Sequence, residues 1–586
     1  MKKSQGWVGA VRHLRWLLIS GFALPLFLAA AGLTLSGCFP LGNPKHAHDS
    51  YRLNAAQESP AHVELLLPAL IQAGSLPELR RPDFGGYRPD LTNFYEYNNL
   101  KLAWIKKGRI TSQVLAVIEA LRNAEAKGLD ADDYDGPRWA DRVAGLQRAN
   151  APPSAADCAR FDLALTVSLM RFVSDLHIGR INPRILHSGF NIGPAKYDLA
   201  HFMLHRLVGA QDVSAGVDAV EPPFPSYRLA RSALAAYLRL AREDSGEPLP
   251  VPDAAVHCGK PYAGVERLAR LLRLVGDLPP DVVVPAGTTV YTGDLEMAVR
   301  RFQQRHGLDA DGVLGKATLE QLNVPLSRRV RQLQFALERW RWLPHEFSHP
   351  PVIVNIPEFQ LRALDENGTV VLAMKVVVGQ AFRHETPVFA NDMKYIIFRP
   401  YWKVPASIQR RELVPQLRKD RDYFVKNAYE VIDTRGEVVS GGEVSDDVFE
   451  SLRRGNLLVR QKPGPKNALG LVSFMFPNEF DVYLHGTPAP ELFSRSRRDF
   501  SHGCIRVEDP EKLAVWVLDE KPAWPPARIR ASMQGVGTIQ VNLDTPIPVL
   551  VLYTTAVVTE DGTVRFLQDI YGYDSAMEQM LAGRNQ

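Results

Sequence analysis

Apolar positions change their spacing several times along the chain, and each change marks a different element. From Trp16 to Leu35 the residues are almost wholly apolar, with Ser20 the only clearly polar interruption before Thr34, and Lys2, Lys3, Arg12 and Arg15 precede them. This is the pattern of an export segment. It is also long enough to span a bilayer uncleaved, with its cations held inside. Residues 39–58 are polar and contain Pro and Gly, as a linker does. Over 59–255 apolar residues recur at helical spacing: Leu100, Leu102, Trp104 and Ile105, then Val114, Leu115, Val117, Ile118 and Leu121, then Phe161 to Leu176, then Tyr227 to Leu240. No acid pair or nucleophile stands out there, so a helical scaffold is expected.

Residues 262–325 predict three short helices. Leu268, Leu271, Leu272 and Val275 mark the first, closed by Gly276. Leu295, Ala298, Val299 and Phe302 mark the second, closed by Gly307. Asp311-Gly312 supplies a turn before a third at Ala317-Thr318-Leu319. After Pro344 the period falls to two. Strands are expected at Val352–Ile356, Leu361–Leu364, Val371–Val378, Tyr395–Phe398 and Phe480–Leu484, with Asp365-Glu366-Asn367-Gly368 as a hairpin turn. Residues 345–545 thus form a mostly β domain, and 546–586 supply closing strands and a helix. The segment at about 407–456 carries Arg410, Arg411, Glu412, Arg418, Lys419, Asp420 and Arg421. It is expected as inserted helices, either surface decoration or a cap. The fold class is multidomain α+β.

The 586 residues are too many for one core and imply about three to five domains. Hydrophobic content of 46% and charged content of 23% exclude disorder over most of the length. A net charge of +4 suits an anionic surface or polymer. No basic stripe with interleaved aromatics is present, so nucleic acid is not an expected partner. The four cysteines form no CxxC pair, which argues against structural zinc and against a disulfide scaffold. Whether Cys158 and Cys258 pair is left open.

The chemistry concentrates in His485-Gly486-Thr487 and Ser501-His502-Gly503-Cys504-Ile505-Arg506-Val507. A cysteine attacks as thiolate, and a histidine within reach removes its proton or stabilises the anion. His485 follows an expected strand. Cys504 follows a small turn in which a glycine lets backbone amides face a carbonyl. His485, His502 and Cys504 are also zinc-ligand types, but they lack separated ligand pairs, so a zinc site is not expected there.

These two strings resemble the catalytic motif of the L,D-transpeptidases. Asn467-Ala468-Leu469-Gly470, followed by Phe474 and Pro477-Asn478, resembles the family strand leading into the site. Ala298-Val299-x-x-Phe302-Gln303 and Asp311-Gly312-x-x-Gly315-x-x-Thr318 resemble the three-helix peptidoglycan-binding domain. Leu35-Ser36-Gly37-Cys38 resembles a lipobox, which makes Cys38 a candidate for acylation; the alternative is an uncleaved anchor. The order of parts resembles the large Gram-negative subgroup, in which inserted helices cap the site. The resemblance implies Cys504 as nucleophile, His485 as general base and the Gly486 carbonyl as the group that orients it. It implies that His502 and Gly503 shape the oxyanion turn. Substrate contacts fall to Arg506, Tyr483, Trp402 and Ser501. Arg506 either grips a carboxylate or ties the loop to backbone carbonyls. Arg495, Arg497 and Arg498 are expected on a solvated loop.

The implied reaction joins stem peptides of peptidoglycan by 3→3 links through a Cys504 thioester, and it implies no cofactor. The alternatives are hydrolysis of stem-peptide or lipoprotein links at the same site, or a non-catalytic wall-binding scaffold. Peptidoglycan stem peptides and glycan, the membrane and cell-wall synthases are the implied partners, and a membrane-anchored periplasmic location follows.

Overall fold

A computed structural model describes residues 60–106, 109–148, 153–186 and 197–583. The apolar segment 16–35, Cys38 and the 39–58 linker lie outside the described residues. Among the described residues no helix is long and apolar enough to cross a membrane.

The helical part is built around Ala155–Ile178, whose first turn is closed by a capping box of Ser154 and Asp157. Leu165, Val167, Leu169, Phe172 and Val173 in this helix are all fully buried, so it is core on every side rather than amphipathic. The Asp162 carboxylate lies inside that core. It accepts from the backbone amides of Trp104 (2.8 Å) and Ala103 (3.1 Å) and from the Tyr95 hydroxyl (2.8 Å). Burial pushes its pKa up to about 6 against those bonds. No disulfide joins Cys158, buried in this core, to Cys258, which is exposed.

Residues 262–325 hold Val265–Leu274, Gly293–Arg305 and Lys316–Leu322, three helices around Leu268, Leu295, Val299 and Leu314. Gln303 closes the turn before the third. Its amide nitrogen donates to Asp311 (2.7 Å) and Thr318 (3.0 Å), and its oxygen accepts from the Gly312 amide (2.8 Å).

The helix Leu326–Trp340 leads from this domain to the C-terminal one and packs on Pro225–Glu243. Glu338 near its end is wholly buried. It accepts from the backbone amides of Arg180 and Ile181 and pairs with the Arg180 and Arg341 guanidiniums. Burial alone would raise its carboxyl, but the two arginines hold it below the ordinary value. Arg341 in turn donates to the Lys127 carbonyl and the Tyr227 hydroxyl. Buried charge therefore joins the helical part to the helix that leads into the C-terminal domain.

The C-terminal domain is a closed sheet. Its strands are β1 (Val352–Asn355), β2 (Gln360–Leu364), β3 (Val370–Gly379), β4 (Phe389–Phe398), β9 (Val472–Met475), β10 (Leu484–His485), β11 (Asp499–Ser501), β12 (Ile505–Val507) and β13 (Ile539–Leu552). The order is β11-β3-β12-β10-β9-β4-β13-β1-β2, and β2 pairs back onto β3 to close it. A boundary at 545 cuts through β13, whose residues 549–552 pair with β1; the rest of the final segment is a separate two-stranded sheet of Ala556–Val558 and Val564–Phe566 and the helix Tyr573–Gly583. The expected Phe480–Leu484 strand is confined to Leu484–His485. Asn478 draws the preceding chain into a loop, donating to the Phe476 and Val482 carbonyls (2.7 and 2.8 Å) and accepting from the Phe480 amide (2.9 Å).

The insertion is not helices alone. It folds β5 (Trp402–Lys403), β6 (Tyr429–Ile432), β7 (Val438–Ser440) and β8 (Leu458–Gln461) into a sheet of order β5-β8-β6-β7 beneath short helices. Leu417, Phe424, Val431, Leu452 and Val459 form its own core. Buried Asn467 clasps its base, donating to the carbonyls of Pro400 (3.1 Å), Gln461 (3.3 Å) and Lys462 (3.0 Å).

Replacing Glu338 by Ala would leave Arg341 buried and short of its partner. We expect a loss of about 3–5 kcal/mol, read as a lower denaturant midpoint, whereas Glu320→Ala on an exposed pair should move it by less than about 1 kcal/mol.

Candidate active site

Two short parallel strands make the site. Leu484 of β10 stands opposite Ile505 of β12, and His485 opposite Arg506. Side chains alternate across a strand. Leu484, Ile505 and Val507 point into the barrel core and are fully buried. The other face therefore carries Tyr483 and His485 from one segment and Cys504 and Arg506 from the next. Cys504 stands beside Tyr483 and diagonal to His485, about 8 Å away between Cα atoms by strand rise and spacing.

The His485 ring is 4% exposed. Its Nδ1 lies 2.6 Å from the Gly486 carbonyl, which accepts Nδ1–H and leaves Nε2 as the lone-pair nitrogen. Burial brings its pKa down to about 4, aided by Arg506 and opposed by the Gly486 bond. Cys504 is half-buried, with Sγ 3.5 Å from the Asp481 carbonyl. Burial pushes its thiol up, and Asp481 adds to this, while the Tyr483 backbone and Arg506 act the other way. At neutral pH the resting pair is a neutral thiol near a neutral imidazole.

The turn before Cys504 is held from inside. Ser501, expected to touch substrate, is buried; its hydroxyl donates to the Cys504 carbonyl (2.5 Å) and accepts from the Gly503 amide (3.2 Å). Gly503 has φ +115°, which suits glycine, and its carbonyl accepts from the Thr386 hydroxyl (2.7 Å). That hydroxyl also accepts from the Gly379 amide (2.8 Å), and the Tyr571 hydroxyl donates to the Gly379 carbonyl (2.6 Å). His502 does not brace the turn with its side chain, which leaves it to meet Glu412 of the insertion.

Arg506 is half-buried, with Nε buried and unpartnered, and no hydrogen bond ties it to a backbone carbonyl among the described residues. Trp402 lies in the sheet of the insertion, 6.4 Å from the Tyr429 ring. Arg498 is not solvated. It is 6% exposed and donates to the Val376 and Phe359 carbonyls (3.1 and 3.0 Å), while Arg497 pairs with Asp499. Arg495 stacks over Phe500. Among the described residues no group of three His, Cys, Asp or Glu is arranged to hold a metal ion. Sequence reasoning missed Asp481, Thr386, Tyr571 and Glu412, none of which belongs to a local motif.

Residues 350–549 match the YkuD family, described as an L,D-transpeptidase catalytic domain. The chain carries a YkuD L,D-transpeptidase catalytic domain. Residues 89–234 match a "Scaffold domain" and 262–322 a "Putative peptidoglycan binding domain". A protein of Haemophilus influenzae described as "Putative L,D-transpeptidase" is 31% identical over 254 residues, which is 43% of this chain and 50% of that protein. The chain thus spans about half the length of the curated relative it matches. The crystal structure of an L,D-transpeptidase from Stackebrandtia nassauensis aligns over 52% of this chain and 97% of its own, at 14% identity and a TM-score of 0.20, too low to bear on the fold.

Within the YkuD domain, Gly470 passes so close to the dyad strand that a Cβ there would sit 2.6 Å from the Gly486 carbonyl carbon, and its φ is +67°. Gly470→Ala should push Gly486 and slow acylation of Cys504 at least tenfold without removing a reacting group, as read by the rate of mass gain with a thiol-reactive acyl donor.

His485 also predicts a pH dependence of stability. Its folded pKa of about 4 lies below the usual imidazole value. Between roughly pH 6.5 and 4 the unfolded chain takes a proton that the folded one refuses, so stability falls as pH falls through that window. The contribution is on the order of 3 kcal/mol. His485→Gln should flatten that part of the denaturation-versus-pH curve.

Proposed function

We propose that this protein is a peptidoglycan L,D-transpeptidase that forms 3→3 cross-links through a Cys504 thioester. The observation that carries the reading is the shared face of β10 and β12, with a neutral imidazole, a thiol and an unpartnered guanidinium together. The YkuD match and the relative's description support the same reaction class.

Cys504 attacks the carbonyl of the third residue in a donor tetrapeptide while Nε2 of His485 takes the thiol proton. Because both groups rest neutral, proton transfer accompanies attack rather than preceding it. The tetrahedral oxyanion faces amides of the Ser501–Cys504 turn. Collapse expels the terminal D-Ala, whose amine takes the proton from His485. An acceptor amine then attacks the thioester. Arg506 suits a substrate carboxylate, since its guanidinium is half-buried with Nε unpartnered and can take an anion in bidentate fashion. The domain at 262–322 would hold the enzyme on the polymer. The 16–35 segment and Cys38 motif support a membrane-tethered, periplasmic placement.

Cys504→Ala should abolish cross-linking at unchanged folding, scored by mass spectrometry of sacculus fragments for 3→3 dimers. Shortened monomers without dimers would instead mark a hydrolase. A carbapenem-type β-lactam should add one equivalent to wild-type mass and none to the Cys504→Ala protein.

A further inference from the structure

A second set of titratable groups lies outside the His485–Cys504 pair, where the catalytic turn meets the insertion. His502 Nε2 is 2.6 Å from the Glu412 carboxylate, which belongs to the insertion. A carboxylate only accepts, so Nε2 carries the hydrogen and Nδ1 carries the lone pair. No hydrogen bond occupies that Nδ1 among the described residues. Both side chains reach solvent, at 36% and 47% exposure, and His502 lies two residues before Cys504. Glu412 sits in a single π-turn, Gln409–Leu413, within the helical run that starts the insertion. Single π-turns within helices are rare and occur frequently at functional sites.

The acceptor half of the reaction has a proton problem. The incoming amine arrives as an ammonium with a surplus proton, and His485 is a poor place to put it. His485 is buried, its Nδ1 is committed to Gly486, and its pKa is about 4. Against an ordinary alkylammonium near 10.4, that transfer is unfavourable by roughly a millionfold.

We propose that His502 takes the surplus proton of the acceptor ammonium and that Glu412 is its positioning residue. This rests on the thioester reading above. Nδ1 of His502 removes one proton, and the free amine attacks the thioester carbonyl. A C–N bond forms and the C–S bond breaks. The second amine proton passes through His485 to the departing Cys504 sulfur, restoring the thiol. The imidazolium at His502 faces Glu412 and returns its proton to solvent. Other groups facing the pair are His384, whose ring is 4.7 Å from that of His502, Arg383 beside it and Arg411 on the insertion, while Glu385 on the same loop accepts from the Phe382 amide and the Tyr573 hydroxyl. Burial and His502 itself hold His384 below the usual imidazole value.

The test compares two nucleophiles on one thioester. Full-length wild-type, His502→Gln and Glu412→Gln proteins are loaded with donor tetrapeptide, and the acyl adduct is measured by intact mass. Each is then chased with the acceptor stem peptide, which is an ammonium at neutral pH, or with hydroxylamine, which is not. The ratio of stem capture to hydroxylamine capture should fall at least tenfold in both variants. It should recover as pH rises towards the pKa of the amine itself. A ratio unchanged in both variants, or equal losses with both nucleophiles, would overturn the proposal and leave only a structural contact. No adduct in the wild type would overturn the thioester reading and this inference with it, and is seen before any nucleophile is added.

Discussion

Everything at the site depends on one ladder, the parallel pairing of Leu484 with Ile505 and of His485 with Arg506. These strands are only two and three residues long. So short a pair has no independent stability in water. It exists because a closed sheet surrounds it, with β9 on one side and β3 on the other. A one-residue slip would send Cys504 and His485 to the core face and Ile505 to solvent. Full burial of Leu484, Ile505 and Val507 opposes that slip.

The same burial that holds the register sets the proton affinities. Low polarity penalises imidazolium and thiolate alike, so it lowers His485 and raises Cys504 together. The fixed bonds then choose atoms. Gly486 takes Nδ1–H, so Nε2 is the nitrogen able to accept a proton. Asp481 offers its carbonyl to Sγ, and Ser501, Gly503 and Thr386 hold the turn from behind. Glu412 meets the turn through a side chain from a segment with its own core. That segment can therefore carry chemistry to the mouth of the site without disturbing the barrel.

Much of this was legible in the sequence because it was local. Period-three-and-four spacing marked the helices, and period-two spacing marked β1 to β4. The strings around His485 and Cys504 lay close enough in sequence to suggest each other. What was not legible is what depends on distant partners. The insertion looked like helices because its charges dominate, while β5, β6 and β8 are short and become strands only by pairing across 402–461. Phe480 to Leu484 has strand composition, but Asn478 consumes the backbone groups that a ladder would need. Arg498 lies in a run of charges, yet carbonyls of β3 and the 359 turn bury it. Ser501 sits in the motif like a substrate ligand, and only the folded turn shows its hydroxyl engaged at both ends.

The contrast between the two histidines follows from their surroundings. His485 is inside, bound to a carbonyl, and its environment resists a net charge; it is suited to a proton that arrives and departs within one step. His502 is at the surface beside a carboxylate, where a positive charge is compensated and solvent is near. In the acyl transfer proposed above, one proton is discarded to water and the others pass between sulfur and nitrogen. The burial that keeps His485 neutral also keeps solvent from it, whereas His502 is exposed. The fold gives one histidine to the barrel and leaves the other, on the adjoining turn, to meet the insertion, which is the separation that the proposed division of protons uses.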